Sequence, residues 1–150
     1  MKTMHRKSGF TLIEMLIVIA VIGILASIVL VGLGPIQKQA RDSRRVSDLR
    51  QVQTALEIYN TKNSGYYAYE TKNGSWAAFT AAVETGAGVG RLPDDPTASQ
   101  HYQYDGTATT YVLGATLEDA SSSVLNNSYT GASPHGDIPC NTKPTYCVQF

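Results

Sequence analysis

Lys7-Ser8-Gly9-Phe10-Thr11-Leu12-Ile13-Glu14-Met15-Leu16-Ile17-Val18-Ile19-Ala20-Val21-Ile22-Gly23-Ile24-Leu25-Ala26-Ser27-Ile28-Val29-Leu30-Val31 is the stretch on which the fold turns. Between Gly9 and Gln37 its one charged residue is Glu14. From Phe10 to Leu33 the run measures about 36 Å as a helix, at about 1.5 Å per residue. A bilayer core is about 30 Å thick, so the run can span it with some tilt. The competing reading is the core helix of a globular protein. A run of about 18 or more apolar residues with almost no charge favours the membrane.

Glu14 is the sharper clue. A carboxylate a turn inside a membrane helix is costly, and such groups persist where they have a partner or a task. Snorkelling back to the interface strains so short a side chain. The alternative is a cation that arrives later. Cleavage after Gly9 would free an amine on Phe10, and the acid of a neighbouring copy could pair with it.

Lys2, His5, Arg6 and Lys7 form a short basic flank ahead of Gly9. An ordinary secretory signal has a shorter apolar core with its small-residue site behind it. Here the small residue stands before the core, so the apolar segment survives processing. Gly9-Phe10-Thr11-Leu12-Ile13-Glu14 resembles the class III leader junction of type IV pilins and type II secretion pseudopilins. The resemblance implies that a prepilin peptidase cuts between Gly9 and Phe10 and methylates the new amine of Phe10. It further implies that Glu14 brings subunits into register in a helical filament.

The chain then divides into a leader (1–9), a transmembrane or filament-core helix half (10–33), an amphipathic continuation of the spine (34–60) and a globular head (61–150). The fold class is α+β, a long helical spine packed on a small antiparallel sheet. Gly32, Gly34 and Pro35 mark a joint, because proline lacks an amide donor and crowds the preceding turn. A simple helix end is the alternative there, but helical pattern resumes at once. Val46, Leu49, Val52, Leu56 and Tyr59 form an apolar stripe at spacings of three and four. Asp42, Arg44, Asp48, Arg50, Gln51 and Glu57 are assigned to the opposite, wet face.

Lys38-Gln39-Ala40-Arg41-Asp42-Ser43-Arg44-Arg45 reads as a solvated helix face near a membrane surface. Nucleic-acid binding is not expected of it, since no aromatic residues interleave for stacking. Five basic residues, Lys38, Arg41, Arg44, Arg45 and Arg50, follow the span and outnumber those of the leader. A Lys and Arg count alone would therefore place the head in the cytoplasm. The junction motif implies the opposite topology, with the head outside the cytoplasm, and is preferred.

The 150 residues carry a formal net charge of zero and only 16% charged residues, which gives no overall pull toward nucleic acid. Asn60 to Gly65 is dense in turn formers and ends the spine. Ser75 offers a helix N-cap, and Trp76, Phe79 and Val83 recur at helical spacing over 75–85. Gly86-Ala87-Gly88-Val89-Gly90 is read as a flexible loop and not as a dinucleotide fingerprint, since it follows a helix. Tyr102–Tyr104 and Thr109–Leu113 suggest a hairpin turning at Asp105-Gly106. Ala115 to Glu118 is expected to continue the strand, Ala120 to Gly136 is a long surface loop, and 145–150 a final strand. Leu92-Pro93-Asp94-Asp95-Pro96, with Tyr102-Gln103-Tyr104, resembles a passage of major pseudopilins, although the family's Trp-Gly after the Asp-Pro is replaced by Thr97-Ala98.

Cys140 and Cys147 are the two cysteines. In an extracytoplasmic head they read as a disulfide, contributing about 2.5 kcal/mol in a chain-entropy model. A metal pair lacks a completing set of ligands at zinc-like spacing. A Cys–His nucleophile with His101 or His135 is the remote third reading. No cofactor is expected, calcium excepted: major pseudopilins bind it ahead of their C-terminus, and Glu118, Asp119 and Asp137 are scattered oxygen donors in that region.

The function these features imply is a structural subunit of a type IV pilus-like or type II secretion-like filament. Its partners would be copies of itself, the prepilin peptidase, the inner-membrane assembly platform, minor pilins or pseudopilins, and membrane lipid before assembly. Its place would be the bacterial inner membrane, then a periplasmic or surface filament. The alternative is a single-pass anchored binding module that does not polymerise. An enzyme is not expected, for want of paired acids, a Ser/His/Asp signature or a phosphate loop.

Overall fold

The computed structural model describes residues 9–70 and 75–150; the leader residues before Gly9, and Gly74, lie outside them. Helix α1 is Leu12–Asn63. Contacts divide the chain into two compact units, the second beginning at Lys38.

The first unit is the N-terminal half of α1. It is apolar on every side and exposed on every side: Leu12 is 81% exposed, Ile19 63% and Leu30 71%. Such a helix needs an apolar surrounding, lipid or other helices. Among the described residues it is the one helix long and apolar enough to cross a membrane. Ser27 returns its hydroxyl to the carbonyl of Gly23 at 2.8 Å, so the run's one serine adds no unmet donor. α1 does not end at the glycine–proline site; it continues through Gly32, Gly34 and Pro35. The proline leaves the carbonyl of Val31 without its usual amide partner.

The second unit is built on the rest of α1, which runs three residues past the expected end and stops at Ser64, a non-glycine residue with φ of 58°. Val46, Leu49, Val52 and Leu56 are buried, as their spacing requires. Helix α2, Trp76–Ala87, starts at an N-cap where Ser75 Oγ accepts from the Ala78 amide at 3.1 Å. Trp76, Phe79 and Val83 are its buried stripe. The expected glycine loop is shorter than read: Gly86 and Ala87 are helical, and Gly88 is the left-handed C-cap at φ 66°. Lys62 and Asn63, at the end of α1, donate to the last carbonyls of α2, those of Ala87 and Gly86. A cation at that end also suits the helix dipole.

Four antiparallel strands follow in the order β1 (Tyr69–Glu70), β2 (Gln103–Gly106), β3 (Tyr111–Thr116), β4 (Thr145–Gln149). Asp105 and Gly106 are not the hairpin turn. They pair with Val112 and Tyr111 inside the sheet, and the turn lies at 107–110, closed by the Thr107 amide on the Thr110 carbonyl at 2.8 Å. β3 stops at Thr116, so Glu118 lies beyond it.

Alternation along β3 separates two faces. Tyr111, Leu113 and Ala115 join the core under the two helices. Val112 faces the other way, into a small cluster with Ile138, Cys140 and Cys147. Tyr129, packed against that cluster, and Leu125, buried in the main core, correct the reading of 120–136 as plain surface loop. The segment includes a 3-10 turn, Ser123–Asn127, with Leu125 buried, and the chain after it straps the outer face of the sheet. Gly114 permits the close approach, because a Cβ there would stand 2.7 Å from Ile138 Cγ2. Buried Asp105 fastens the strap, accepting from the His135 amide at 2.9 Å and from His135 Nδ1 at 2.5 Å. Burial alone would raise the Asp105 carboxyl; the bonds from Ser133 and His135 outweigh it and hold the group below its ordinary value.

Candidate functional site

Two places carry chemistry. The first is the start of α1. Thr11, just before the first helical residue, donates its amide and its hydroxyl to Glu14 Oε2, both at 2.8 Å. Glu14 returns its amide to Thr11 Oγ1 at 3.3 Å. This reciprocal pairing is the Thr-x-x-Glu capping box, and it meets two of the amides that a helix start leaves open. The sequence reading gave Glu14 an intermolecular task and overlooked the local one, although the spacing Thr11 to Glu14 was its signal. Gly9 and Phe10 precede the helix and are exposed.

The second place is where the head grips its helix. Asp42 and Arg45 extend the buried stripe of Val46, Leu49, Val52 and Leu56 by a further turn toward the N-terminus. Arg45 is 0% exposed and Asp42 3%. Every N–H of the Arg45 guanidinium has an acceptor. Nε and Nη2 hold Asp95 at 2.7 and 2.9 Å, and Nη2 also reaches Thr97 Oγ1 at 2.9 Å. Nη1 donates to Asp42 at 2.7 Å and to Glu118 at 3.0 Å. Asp42 in turn accepts the amides of Glu118 and Asp119 at 2.9 and 3.0 Å. Arg41 closes on Glu118 with two bonds of 2.6 Å. Such planar, two-point pairing is what a guanidinium offers and an ammonium does not.

This cluster gives the Leu92–Pro96 passage a physical role. Asp95 bridges to the spine, the Pro93 carbonyl accepts from Trp76 Nε1 at 3.1 Å, and the Leu92 amide donates to Glu84 at 2.7 Å. It also corrects the wet-face assignment of Asp42 and Asp48. Asp48 is 9% exposed and accepts the Tyr102 hydroxyl at 2.7 Å. Burial first, and Asp48 second, push that hydroxyl's pKa up.

The calcium candidates are not drawn together. Glu118 is taken by Arg41 and Arg45, and Asp119 accepts from the amide and hydroxyl of Ser121 at 2.8 and 2.5 Å. Asp137 lies on the strap. Among the described residues no group of three or more His, Cys, Asp or Glu is placed to hold an ion. Cys140 and Cys147 form a disulfide and close the strap onto β4.

The cluster makes a pH prediction. The hydrogen bond from Arg41, then that from Arg45, hold the Glu118 carboxyl at about 2, against an ordinary value of 4.5. A folded value below the unfolded one adds stability that is complete above 4.5 and lost as pH falls toward 2. The thermal midpoint of the chain in detergent is therefore expected to drop across that window. Arg41→Met should flatten this part of the pH profile, and an unchanged slope would count against the assignment.

The fold and the site together define a membrane-anchored subunit with an unpartnered apolar spine and a head locked to the spine's continuation. The prokaryotic N-terminal methylation motif, as a family model, matches residues 4–30. Type II secretion system core protein G of Vibrio cholerae is 34% identical over 127 residues, 77% of this chain and 85% of that protein. Its counterpart in Aeromonas hydrophila is 38% identical over 100 residues, 61% of this chain and 68% of that protein. The type IV wide pilus major component PilA4 of Thermus thermophilus is 40% identical over 63 residues, 42% of this chain and 48% of that protein. No solved structure matches the chain significantly. The chain belongs to the family of type IV pilins and type II secretion pseudopilins, the structural subunits of filaments assembled after prepilin peptidase processing.

Proposed function

We propose that this chain is the repeating subunit of a secretion-type filament, cut between Gly9 and Phe10 and methylated on Phe10. The observation that carries the reading is the junction Gly9-Phe10-Thr11-Leu12-Ile13-Glu14 at the head of an unpartnered apolar helix. The secretion branch is favoured because the likeness to core protein G of Vibrio cholerae extends over 85% of that protein, against 48% of the pilus component. In this reading the spine leaves lipid for a bundle of like spines, and Glu14 meets the Phe10 amine of a neighbour. The inner-membrane assembly platform and minor pseudopilins are its further partners. The head faces away from the cytoplasm. The basic residues after the span do not oppose this, since they belong to a large domain, and such domains translocate largely regardless of charge.

A surface pilus is the second reading, favoured by the likeness to PilA4 and by the disulfide in the C-terminal region. N-terminal mass spectrometry on sheared surface material and on washed membranes separates the two. A methylated peptide beginning at Phe10 is expected in the membrane fraction; the same peptide abundant in sheared material would make this a surface pilin. Gly9→Val is expected to abolish the cut. A mature chain starting at Phe10 in that variant would overturn the junction, and an uncut native chain would leave an anchored module that does not polymerise.

A further inference from the structure

We infer that neighbouring copies of this chain dock head to head through an aromatic knob, the Phe150 ring of one copy seated in the groove beside Ile58 and Leu92 of the next. The inference rests on the filament reading and names one contact within it. From Lys38 onward, among the described residues, two large hydrophobic side chains are exposed: Ile58 at 37% and Phe150 at 64%. Ile58 lines a groove of about 320 Å³, together with Thr54 and Ala55 of α1 and Val89 and Leu92 of the segment after α2. A cavity of about 150 Å³ already accepts a benzene ring.

Phe150 is built as a knob. Its ring stacks on Tyr111 with centroids 6.2 Å apart and planes 12° apart, and meets Tyr66 edge-on at 5.6 Å. Its backbone exchanges two hydrogen bonds with Tyr111, at 3.2 and 3.3 Å, and its carbonyl accepts from Thr110 Oγ1 at 2.6 Å. A ring fixed in this way loses little freedom on docking, which is how aromatic anchors come to dominate interfaces.

Knob and groove lie on different flanks of α1. The Tyr66 and Tyr111 hydroxyls beneath Phe150 reach Glu57, at 3.1 and 3.4 Å. Glu57 stands one residue, about 100° of helix turn, from Ile58. The two sites therefore meet between copies and not within one. A contact between two different patches is heterologous, and one that does not close into a ring propagates as an open helix. A self-complementary patch would instead give a closed dimer.

The test is photocrosslinking in producing cells, with p-benzoylphenylalanine replacing Phe150 in the full chain. The expected product is a ladder of dimers and higher species, whose crosslinked peptide contains residues 51–58 or 89–92. Ile58→Asp should abolish the ladder and lower filament mass by about tenfold; because Ile58 is only 37% exposed, a thermal midpoint that stays above the growth temperature shows that the head of the variant still folds. Filaments that form normally while the crosslink maps elsewhere, or does not form, overturn the knob and leave the filament reading standing. Absence of filaments from the unsubstituted chain overturns both.

Discussion

Arg45→Met is expected to cost the head about 3–5 kcal/mol, the range for breaking a buried ion pair by removing one partner. Methionine fills much the same space, so the loss comes from charge. Asp42 and Asp95 stay behind with side chains 5% and 1% exposed and without the guanidinium that both of them hold. A domain of this size has only about 5–15 kcal/mol in total, and its thermal midpoint should fall on the order of 15 °C. Two comparisons fix the cause. Arg44→Met removes an arginine that is 63% exposed and 3.6 Å from Asp48, and should change stability by no more than about 0.5 kcal/mol. The triple variant Asp42→Asn, Arg45→Met, Asp95→Asn should recover part of the loss, because it removes the stranded charges with the guanidinium. Thermal unfolding of the chain in detergent reads all three. A midpoint for Arg45→Met within a few degrees of the parent would sink the account.

Why this cluster escaped the sequence reading is itself physical. Arg45 sits four residues before Leu49, and Asp42 three before Arg45 and four before Val46, in phase with the apolar stripe, so their place on the buried face was legible. Their chemistry argued the other way, because a charged residue is rarely buried unless paired. The partners are Asp95 and Glu118, 50 and 73 residues further on. No local pattern carries such a pairing. The same limit explains the hairpin. Asp-Gly is a strong turn signal, yet the Asp105 carboxylate is engaged by His135, thirty residues away, and the turn formed at the threonines. The apolar run, the stripe from Val46 to Leu56, the α2 cap at Ser75 and the disulfide were legible because each is a short-range pattern or a lone pair of cysteines. The outer-face strap was not, since polar composition from Ala120 onward conceals how few apolar residues, Ile138 and Tyr129 among them, it takes to hold a loop down.

Glu14 carries the second large expected effect, and its two tasks can be told apart. One is local: the carboxylate closes the capping box on Thr11. The other is the proposed pairing with the Phe10 amine of a neighbour inside the filament. Glu14→Gln keeps a side chain that can still cap, since glutamine serves in the same box, but removes the charge. Glu14→Ala removes both. Membrane insertion should survive either change, since taking a charge out of an apolar run can only ease partition into lipid. Assembly should not survive. A cationic amine carried into an apolar helix bundle without its counter-ion is disfavoured by roughly two orders of magnitude in equilibrium terms, and each added subunit meets that obstacle again. The expected result is filament yield reduced to background in both variants, with processed chain accumulating in membranes. The quantity to measure is the filament-to-membrane ratio of mature chain by quantitative immunoblot. Full yield from Glu14→Gln beside a loss in Glu14→Ala would assign Glu14 to the cap alone and remove the intermolecular pair. Full yield from both would leave Glu14 with no part in assembly.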